Sequence, residues 1–201
     1  MAGILLAAGA GRRLGVAKAL VEFDGQTLTE RGAGVLADGG CDPVLVVVGA
    51  AANEVRRVSS LGDAVVVMND GWRHGMGGSV RVGLAEAERH SSKAVVVMPV
   101  DQPLVTPALI SRLIAAWRDN ALAAVATYRG EMGTPVVLDR SLWTDVALHA
   151  VGDVGARVFL RSNPEIVTRV ECDDVGDPSD IDTQEDLRRV EHLASEFGRA
   201  R

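Results

Sequence analysis

Short apolar runs alternate with longer segments of mixed polarity along most of the chain. The first run, Ile4 to Ala8, has the length of a buried strand. Later runs are rich in valine and alanine, and they lie at Val44–Val48, Ala64–Met68, Ala94–Met98, Leu122–Thr127 and Pro135–Leu138. Runs without alternating polar positions are typical of strands buried on both faces of a parallel sheet.

The segments between these runs carry the apolar spacing of helices. They lie at Gln26–Asp38, Ala52–Ser59, Gly77–Arg89 and Thr106–Asn120. In the last of them, Leu109, Leu113 and Trp117 recur at every fourth position, which is typical of an amphipathic helix. Strands that alternate with helices predict an α/β fold whose sheet is covered on both faces. Ligands of such sheets bind beyond the carboxyl ends of the strands.

Length and composition narrow the class of protein. The 201 residues suit a single domain, 1–201, and 47% of them are hydrophobic, enough for a large core. The net charge of −6 argues against a nucleic-acid partner. Cys41 and Cys172 lack C-x-x-C spacing, which favours reduced thiols in a cytoplasmic protein. The first apolar run is too short for a signal peptide or a membrane span, so no membrane partner is expected.

A glycine-rich, cationic segment follows the first predicted strand. It contains Gly9, Gly11, Arg12, Arg13, Gly15 and Lys18. Glycines let backbone N–H groups approach a ligand closely, and the cations favour phosphate. The dinucleotide fingerprint G-x-G-x-x-G fails because the third glycine comes one residue late, and the NTPase phosphate loop fails because Lys18 is not followed by serine or threonine.

The segment does match L-A-A-G-x-x-x-R-x-G-x-x-K, and so resembles the signature loop of the molybdopterin nucleotidyltransferases, a MobA-like family of NTP transferases. In that family the loop wraps the triphosphate, and its arginine and lysine neutralise it. The resemblance implies a three-layer α/β/α Rossmann-like fold with a mostly parallel central sheet. It implies catalytic roles for Arg13, Lys18 and Asp101. The implied nucleotide contacts are Leu6, Ala7, Ala8, Gly9, Gly11, Arg13 and Lys18.

Two further segments carry residues that the resemblance places near the nucleotide and its metal. Asn69, Gly75 and Ser79 come from a glycine-rich loop that opens a helix, although Ser79 is also explained as a helix cap. Asp101 follows the fourth apolar run, where a hard carboxylate suits Mg²⁺, and the family assigns this aspartate to metal binding. Thr106, ahead of Pro107, can cap the helix predicted at Thr106–Asn120, so Asp101 is not needed as the cap of that helix.

The acidic segment from residue 173 to 187 resembles the family's closing D-I-D-T-x-E-D-L. Thr183 and Asp186 fit a capping box for the last helix. The remaining carboxylates leave room for a second metal ligand. Asp180 and Asp182 are the candidates, and we choose Asp182.

The acceptor site rests on the resemblance. Gly133, Thr134 and Pro135 stand, in a segment between two strands, where cytidylating relatives often have G-H-P. The segment G-D-V-G-A-R ends in Arg157, which, with the start of a helix at Val154–Arg161, would hold an acceptor phosphate. Asp153 could cap that helix.

Two details favour the cytidylyltransferase branch. Ala8-Gly9 stands where guanylyltransferases usually have two glycines, and the Arg13-to-Lys18 spacing is the shorter one of cytidylyltransferases. The Ala8 methyl group would narrow the base pocket towards a pyrimidine. The resemblance thus implies transfer of CMP from CTP to the molybdenum cofactor with Mg²⁺, and a molybdoenzyme or its chaperone as a further partner.

Three other functions stay open. One is nucleotidyl transfer to a sugar phosphate or an alcohol phosphate. A second is an NAD(P)H-dependent reductase on the same fold, against which the displaced glycine argues, as does Gly49-Ala50 where a reductase needs an acidic residue. The third is a non-catalytic nucleotide-binding or cofactor-insertion protein.

Overall fold

The computed structural model describes residues 1–199, with side chains to residue 195. Nine strands lie in this range: β1 (Ala2–Ala7), β2 (Glu22–Phe23), β3 (Gln26–Thr27), β4 (Val44–Val48), β5 (Val65–Met68), β6 (Ala94–Pro99), β7 (Ala123–Tyr128), β8 (Glu131–Asp139) and β9 (Val167–Glu171). Seven form one sheet in the order β5-β4-β1-β6-β8-β7-β9, while β2 and β3 make a hairpin. Within the described sheet only β8 runs antiparallel to its neighbours.

Helices cover both faces of this sheet. They are α1 (Leu28–Asp38), α2 (Ala52–Val58), α3 (Met76–Arg89), α4 (Pro107–Arg118), α5 (Trp143–His149), α6 (Arg157–Ser162) and α7 (Gln184–Arg199). One apolar cluster joins α1, α2, α4 and α7 to one face, and a second joins α3, α5 and α6 to the other. The predicted three-layer α/β/α fold with a mostly parallel sheet is confirmed.

Small residues bring the helices close to the central strand. Gly32 of α1 lies against Leu5, and Gly83 of α3 lies against Ile4, with too little room at either glycine for a Cβ atom. Ile4 and Leu5 are fully buried on opposite faces of β1. The strand that leads into the glycine-rich loop is therefore packed closely against α1 on one face and α3 on the other.

The start of β8 differs from the sequence prediction. The segment 130–135 was expected to separate two strands, but β8 begins at Glu131, so Gly133, Thr134 and Pro135 belong to it. The turn is shorter than the predicted segment and consists of Arg129 and Gly130. Both residues adopt positive φ, as a two-residue hairpin turn requires. Since Val97 of β6 pairs with Val136, the antiparallel register places residues 131–133 past Pro99, the carboxyl end of β6. This places the start of β8 at the edge where β1 and β6 end.

No helix among the described residues is both long enough and apolar enough to cross a membrane.

Candidate active site

The glycine-rich loop leaves β1 and folds back on itself. The carbonyl of Gly11 accepts hydrogen bonds from the N–H groups of Leu14 and Gly15. Gly11 has a φ of +60°, and a Cβ atom there would overlap the carbonyl oxygen of Val16. Glycine is therefore required at this turn, which brings Lys18 back over the end of the sheet.

Four charged side chains that are distant in sequence meet at this edge. Lys18 Nζ donates to Asp101 Oδ2 and to Asp182 Oδ1, at 2.5 Å each. Arg13 Nη2 donates to Asp182 Oδ2 at 2.6 Å. The structure thus brings together the two cations and the two carboxylates that the sequence selected.

Backbone contacts hold the two aspartates side by side. Asp101 follows β6, where the N–H of Val100 bonds to the carbonyl of Leu6. The N–H of Ile181 donates to the carbonyl of Asp101 at 2.9 Å, which anchors the acidic segment next to β6. The predicted capping box is present, since the Thr183 hydroxyl and the Asp186 carboxylate bond each other's backbone N–H groups. Asp182 is therefore presented by the start of α7.

The cluster shifts the titration of its members. Burial lowers the pKa of Lys18, but the neighbouring Asp101 and Asp182 outweigh it, and the net pKa is raised. The pKa of Asp182 is lowered, first by the hydrogen bond from Lys18 and then by the charges of Lys18 and Arg13. The lysine and Asp182 are therefore both charged at neutral pH.

Replacing Asp182 by asparagine should destabilise the protein in a pH-dependent way. The lowered pKa of Asp182 means that its contribution is complete above the pKa of the unfolded chain and is lost as the pH falls through the folded pKa. We expect a deficit of roughly 1 kcal/mol near neutral pH that shrinks towards pH ~3. Urea unfolding across this range measures it.

Asp180→Asn is the matched control, because Asp180 makes no ion pair among the described side chains. Its free energy of unfolding should follow wild type at every pH. A deficit for Asp182→Asn that stays constant down to the acid limit would contradict the assigned ion pairs.

The two aspartates fit a divalent cation. Their oxygens contact the same Lys18 nitrogen, so they lie no farther apart than these two contacts allow. Carboxylates are hard oxygen donors, and Mg²⁺ typically takes one or two of them beside water and phosphate oxygens at about 2.1 Å. The described residues offer no group of three or more His, Cys, Asp or Glu side chains able to hold a metal. Water and phosphate would therefore complete the coordination.

A cavity of about 360 Å³ lies between the loop and the start of α3. Of the predicted nucleotide contacts, Leu6, Ala8, Gly9, Gly11, Lys18, Gly75 and Ser79 line it. Asp101 forms part of the same wall. Three predicted contacts are not in the lining. Ala7 faces the apolar core, Arg13 lies outside on Asp182, and Asn69 is buried behind Ser79.

Ser79 is not a helix cap. It lies inside α3, whose N-cap is Gly75, so the capping alternative is wrong. Asn69 Nδ2 donates to Ser79 Oγ at 2.9 Å, while Asn69 Oδ1 accepts from the N–H of Gly71. Because an amide nitrogen only donates, Ser79 accepts this bond and keeps its own hydrogen for the cavity.

Sequence reasoning missed several residues of this cavity. Arg12, Trp72, Arg73 and Asp153 all line it. The indole of Trp72 lies against Gly49, and the Arg73 guanidinium stands 4.6 Å from the centre of its ring. The idea that Asp153 caps the next helix is wrong, because α6 begins at Arg157 and has Ala156 as its N-cap. The adjacent arginine pair in the sequence was a signal for Arg12.

A second cavity of about 360 Å³ adjoins the first. Its walls are mostly apolar and include Val80, Val97, Val125, Val136 and Leu160. Gly133, Thr134 and Arg157 line it, whereas Pro135 is buried outside the lining. Asp101 borders both cavities. A group bound in one cavity can therefore meet a group bound in the other beside Asp101.

Comparisons with known proteins relate the chain to several groups. A family model described as a MobA-like NTP transferase domain matches residues 3–167. A nicotine blue oxidoreductase of Paenarthrobacter nicotinovorans is 37% identical over 195 residues, covering 94% of this chain and 95% of that protein. A probable molybdenum cofactor guanylyltransferase of Opitutus terrae is 32% identical over 128 residues, covering 62% of this chain and 59% of that protein.

Solved structures share the whole architecture. An Rv0371c homologue from Mycobacterium sp. strain JC1 is 29% identical, with a TM-score of 0.85 and coverage of 98% of this chain and 97% of that one. A complex of Rv0371c with manganese from Mycobacterium tuberculosis H37Rv is 28% identical, with a TM-score of 0.80 and coverage of 95% and 97%.

Proposed function

Because the chain belongs to the MobA-like NTP transferase family, we propose that it transfers CMP from CTP to a phosphorylated small acceptor and releases pyrophosphate. One observation carries the proposal. Arg13, Lys18, Asp101 and Asp182 form one ion-pair cluster, in which Lys18 lines the first cavity and Asp101 borders both. Cations and a metal-binding carboxylate pair at such a junction suit phosphoryl chemistry.

The reaction needs no nucleophile from the protein. An oxygen of the acceptor phosphate attacks the α-phosphorus of the nucleotide, a new P–O bond forms, and the bond to the β-phosphate oxygen breaks. Asp101 and Asp182 would hold Mg²⁺, which neutralises and polarises the phosphates. Lys18 would bind the departing phosphates, together with Arg12 and Arg13. The Ser79 hydroxyl would donate to the nucleotide.

The choice of CTP rests on the spacing of Arg13 and Lys18 and on Ala8, which lines the nucleotide cavity and is 6% exposed. We expect pyrophosphate release to be fastest with CTP when the four nucleoside triphosphates are compared with an acceptor present. Ala8→Gly should raise the rate with GTP relative to CTP by roughly tenfold, because removing one methyl group from a tight pocket costs selectivity of this order.

The check on this prediction is the ratio of kcat/KM values for the two nucleotides in both proteins. Faster release from GTP than from CTP by wild type would show that the CTP assignment is wrong.

For the acceptor we propose the molybdenum cofactor. Support comes from the sequence resemblance and from the guanylyltransferase relative of Opitutus terrae. Arg157, which borders the second cavity, would bind the acceptor phosphate. A pyrophosphate-release screen against molybdopterin, sugar phosphates and alcohol phosphates tests this choice.

A reductase is the second candidate, favoured by the 37% identity to nicotine blue oxidoreductase. In that case the first cavity would take NAD(P)H and the second the molecule that is reduced. An assay of NAD(P)H oxidation with nicotine blue as the substrate separates the two functions. Asp101→Asn should strongly slow nucleotidyl transfer, whereas hydride transfer does not need a metal-binding carboxylate.

A further inference from the structure

A chain of hydrogen bonds crosses one wall of the second cavity. The Tyr128 hydroxyl donates to the Thr134 carbonyl at 2.9 Å. The Thr134 hydroxyl contacts Gln102 Oε1 at 2.7 Å, and Gln102 Nε2 donates to the Pro178 carbonyl at 3.0 Å. Gln102 and Thr134 both line the cavity. This chain links the exit of β6, the start of β8 and the acidic segment.

The direction of each bond is fixed from its ends. A backbone carbonyl only accepts, so the Pro178 oxygen must face the amide nitrogen of Gln102. The amide oxygen of Gln102 therefore faces Thr134, and an amide oxygen also only accepts. The single hydroxyl hydrogen of Thr134 is consequently donated to Gln102 Oε1. Towards the cavity, the Thr134 hydroxyl can offer only lone pairs.

We propose that Gln102 holds Thr134 as an obligate hydrogen-bond acceptor, so that this pair selects substrates that present an N–H or O–H donor beside an apolar body. The inference rests on the proposed role of the second cavity as the acceptor site. Gln102 acts as a positioning residue, and Thr134 is the group that contacts the substrate.

The surroundings match this polarity. Asp180 also borders the cavity. Its carboxylate can only accept hydrogen bonds, and it makes none with the described residues. Because the walls are apolar, few water molecules are available to replace a missing hydrogen bond. Leaving a donor or an acceptor unpaired therefore costs more free energy. A substrate that presents an ether or carbonyl oxygen to Thr134 would set two acceptors against each other.

The test uses two bicyclic probes of the same shape, indole with an N–H donor and benzofuran with an ether oxygen. Met132 lines this cavity and not the first, so its ¹³C-methyl signal reports binding there. Wild type should bind indole roughly fivefold more tightly than benzofuran. Thr134→Val, which keeps the shape and removes the hydroxyl, should erase this preference, whereas Thr134→Ser should retain it.

Gln102→Met gives a second readout. Without the amide oxygen, the Thr134 hydroxyl can turn its hydrogen to the cavity, so the preference should shift towards benzofuran. If Gln102 had a purely structural role, the substitution would weaken the binding of both probes equally. Equal binding of the two probes by wild type, a preference that survives in Thr134→Val, or no methyl shift with either probe would overturn the proposal. None of these measurements uses a nucleotide, so their failure is distinct from failure of nucleotidyl transfer.

Discussion

Asp101→Asn should lower pyrophosphate release by roughly 100-fold or more while the protein remains folded. The substitution removes one of two carboxylates that we propose for the metal, and loss of preorganised transition-state stabilisation typically costs about 3 kcal/mol. The backbone carbonyl that anchors Ile181 is untouched, so the acidic segment should stay in place. Steady-state pyrophosphate assays and circular dichroism measure the two effects.

Asp174→Asn serves as the control for Asp101. Asp174 also pairs with a cation, Arg112, at 2.6 Å, but it lies on the surface with 66% of its side chain exposed. Its turnover should equal that of wild type. If Asp101→Asn keeps Mg²⁺-dependent turnover, then Asp101 does not hold the metal.

Lys18→Met should bind Mn²⁺ more tightly than wild type in the absence of nucleotide, and yet turn over far more slowly. Lys18 Nζ contacts both carboxylates, where it neutralises the charge that a divalent ion needs. Removing this ammonium group should raise Mn²⁺ affinity roughly tenfold. The same lysine is proposed to bind the departing phosphates, so kcat should fall roughly 100-fold. The free-ion signal in electron paramagnetic resonance reports the affinity.

The chain contains one other lysine, Lys93, which makes a matched control. It is exposed and precedes β6, at the end of the sheet opposite to Asp101. Lys93→Met should leave both Mn²⁺ affinity and turnover unchanged. An Mn²⁺ affinity that stays constant or falls in Lys18→Met would show that the lysine does not compete with the ion.

The sheet and its helices were largely predictable because buried parallel strands are short, apolar and uninterrupted. Val44–Val48 forms β4 with the predicted bounds, and the other apolar runs differ by a few residues at their ends. Strand β9 was missed because Val-Thr-Arg-Val-Glu mixes charged and apolar residues at the sheet edge, where only partial burial is needed. Helix α5 gave no distinct signal either, since Trp143 and Val146 are its only buried residues. The single-domain boundaries stay a prediction.

The site was predictable where one segment carries several of its groups, or where a carboxylate such as Asp101 directly follows an apolar strand. The loop from Leu6 to Lys18 showed glycines and cations together, and much of it lines the nucleotide cavity. The motif in the sequence favoured Arg13, but Arg12 lines the cavity. The choice between the two depends on the turn at Gly11, which the sequence does not reveal. Gln102 could not be recognised, because its role arises from contacts with Thr134 and Pro178. The catalytic and binding roles themselves stay predictions.

The contact between Lys18 and Asp182 has a consequence for biosynthesis. The two residues are 164 positions apart, and nearly the whole sheet lies between them along the chain. While the ribosome is still translating, a nascent chain can fold its first βα units and expose the cationic loop, but it lacks the second carboxylate. The growing polypeptide should therefore stay catalytically silent until the segment that precedes α7 has emerged from the exit tunnel.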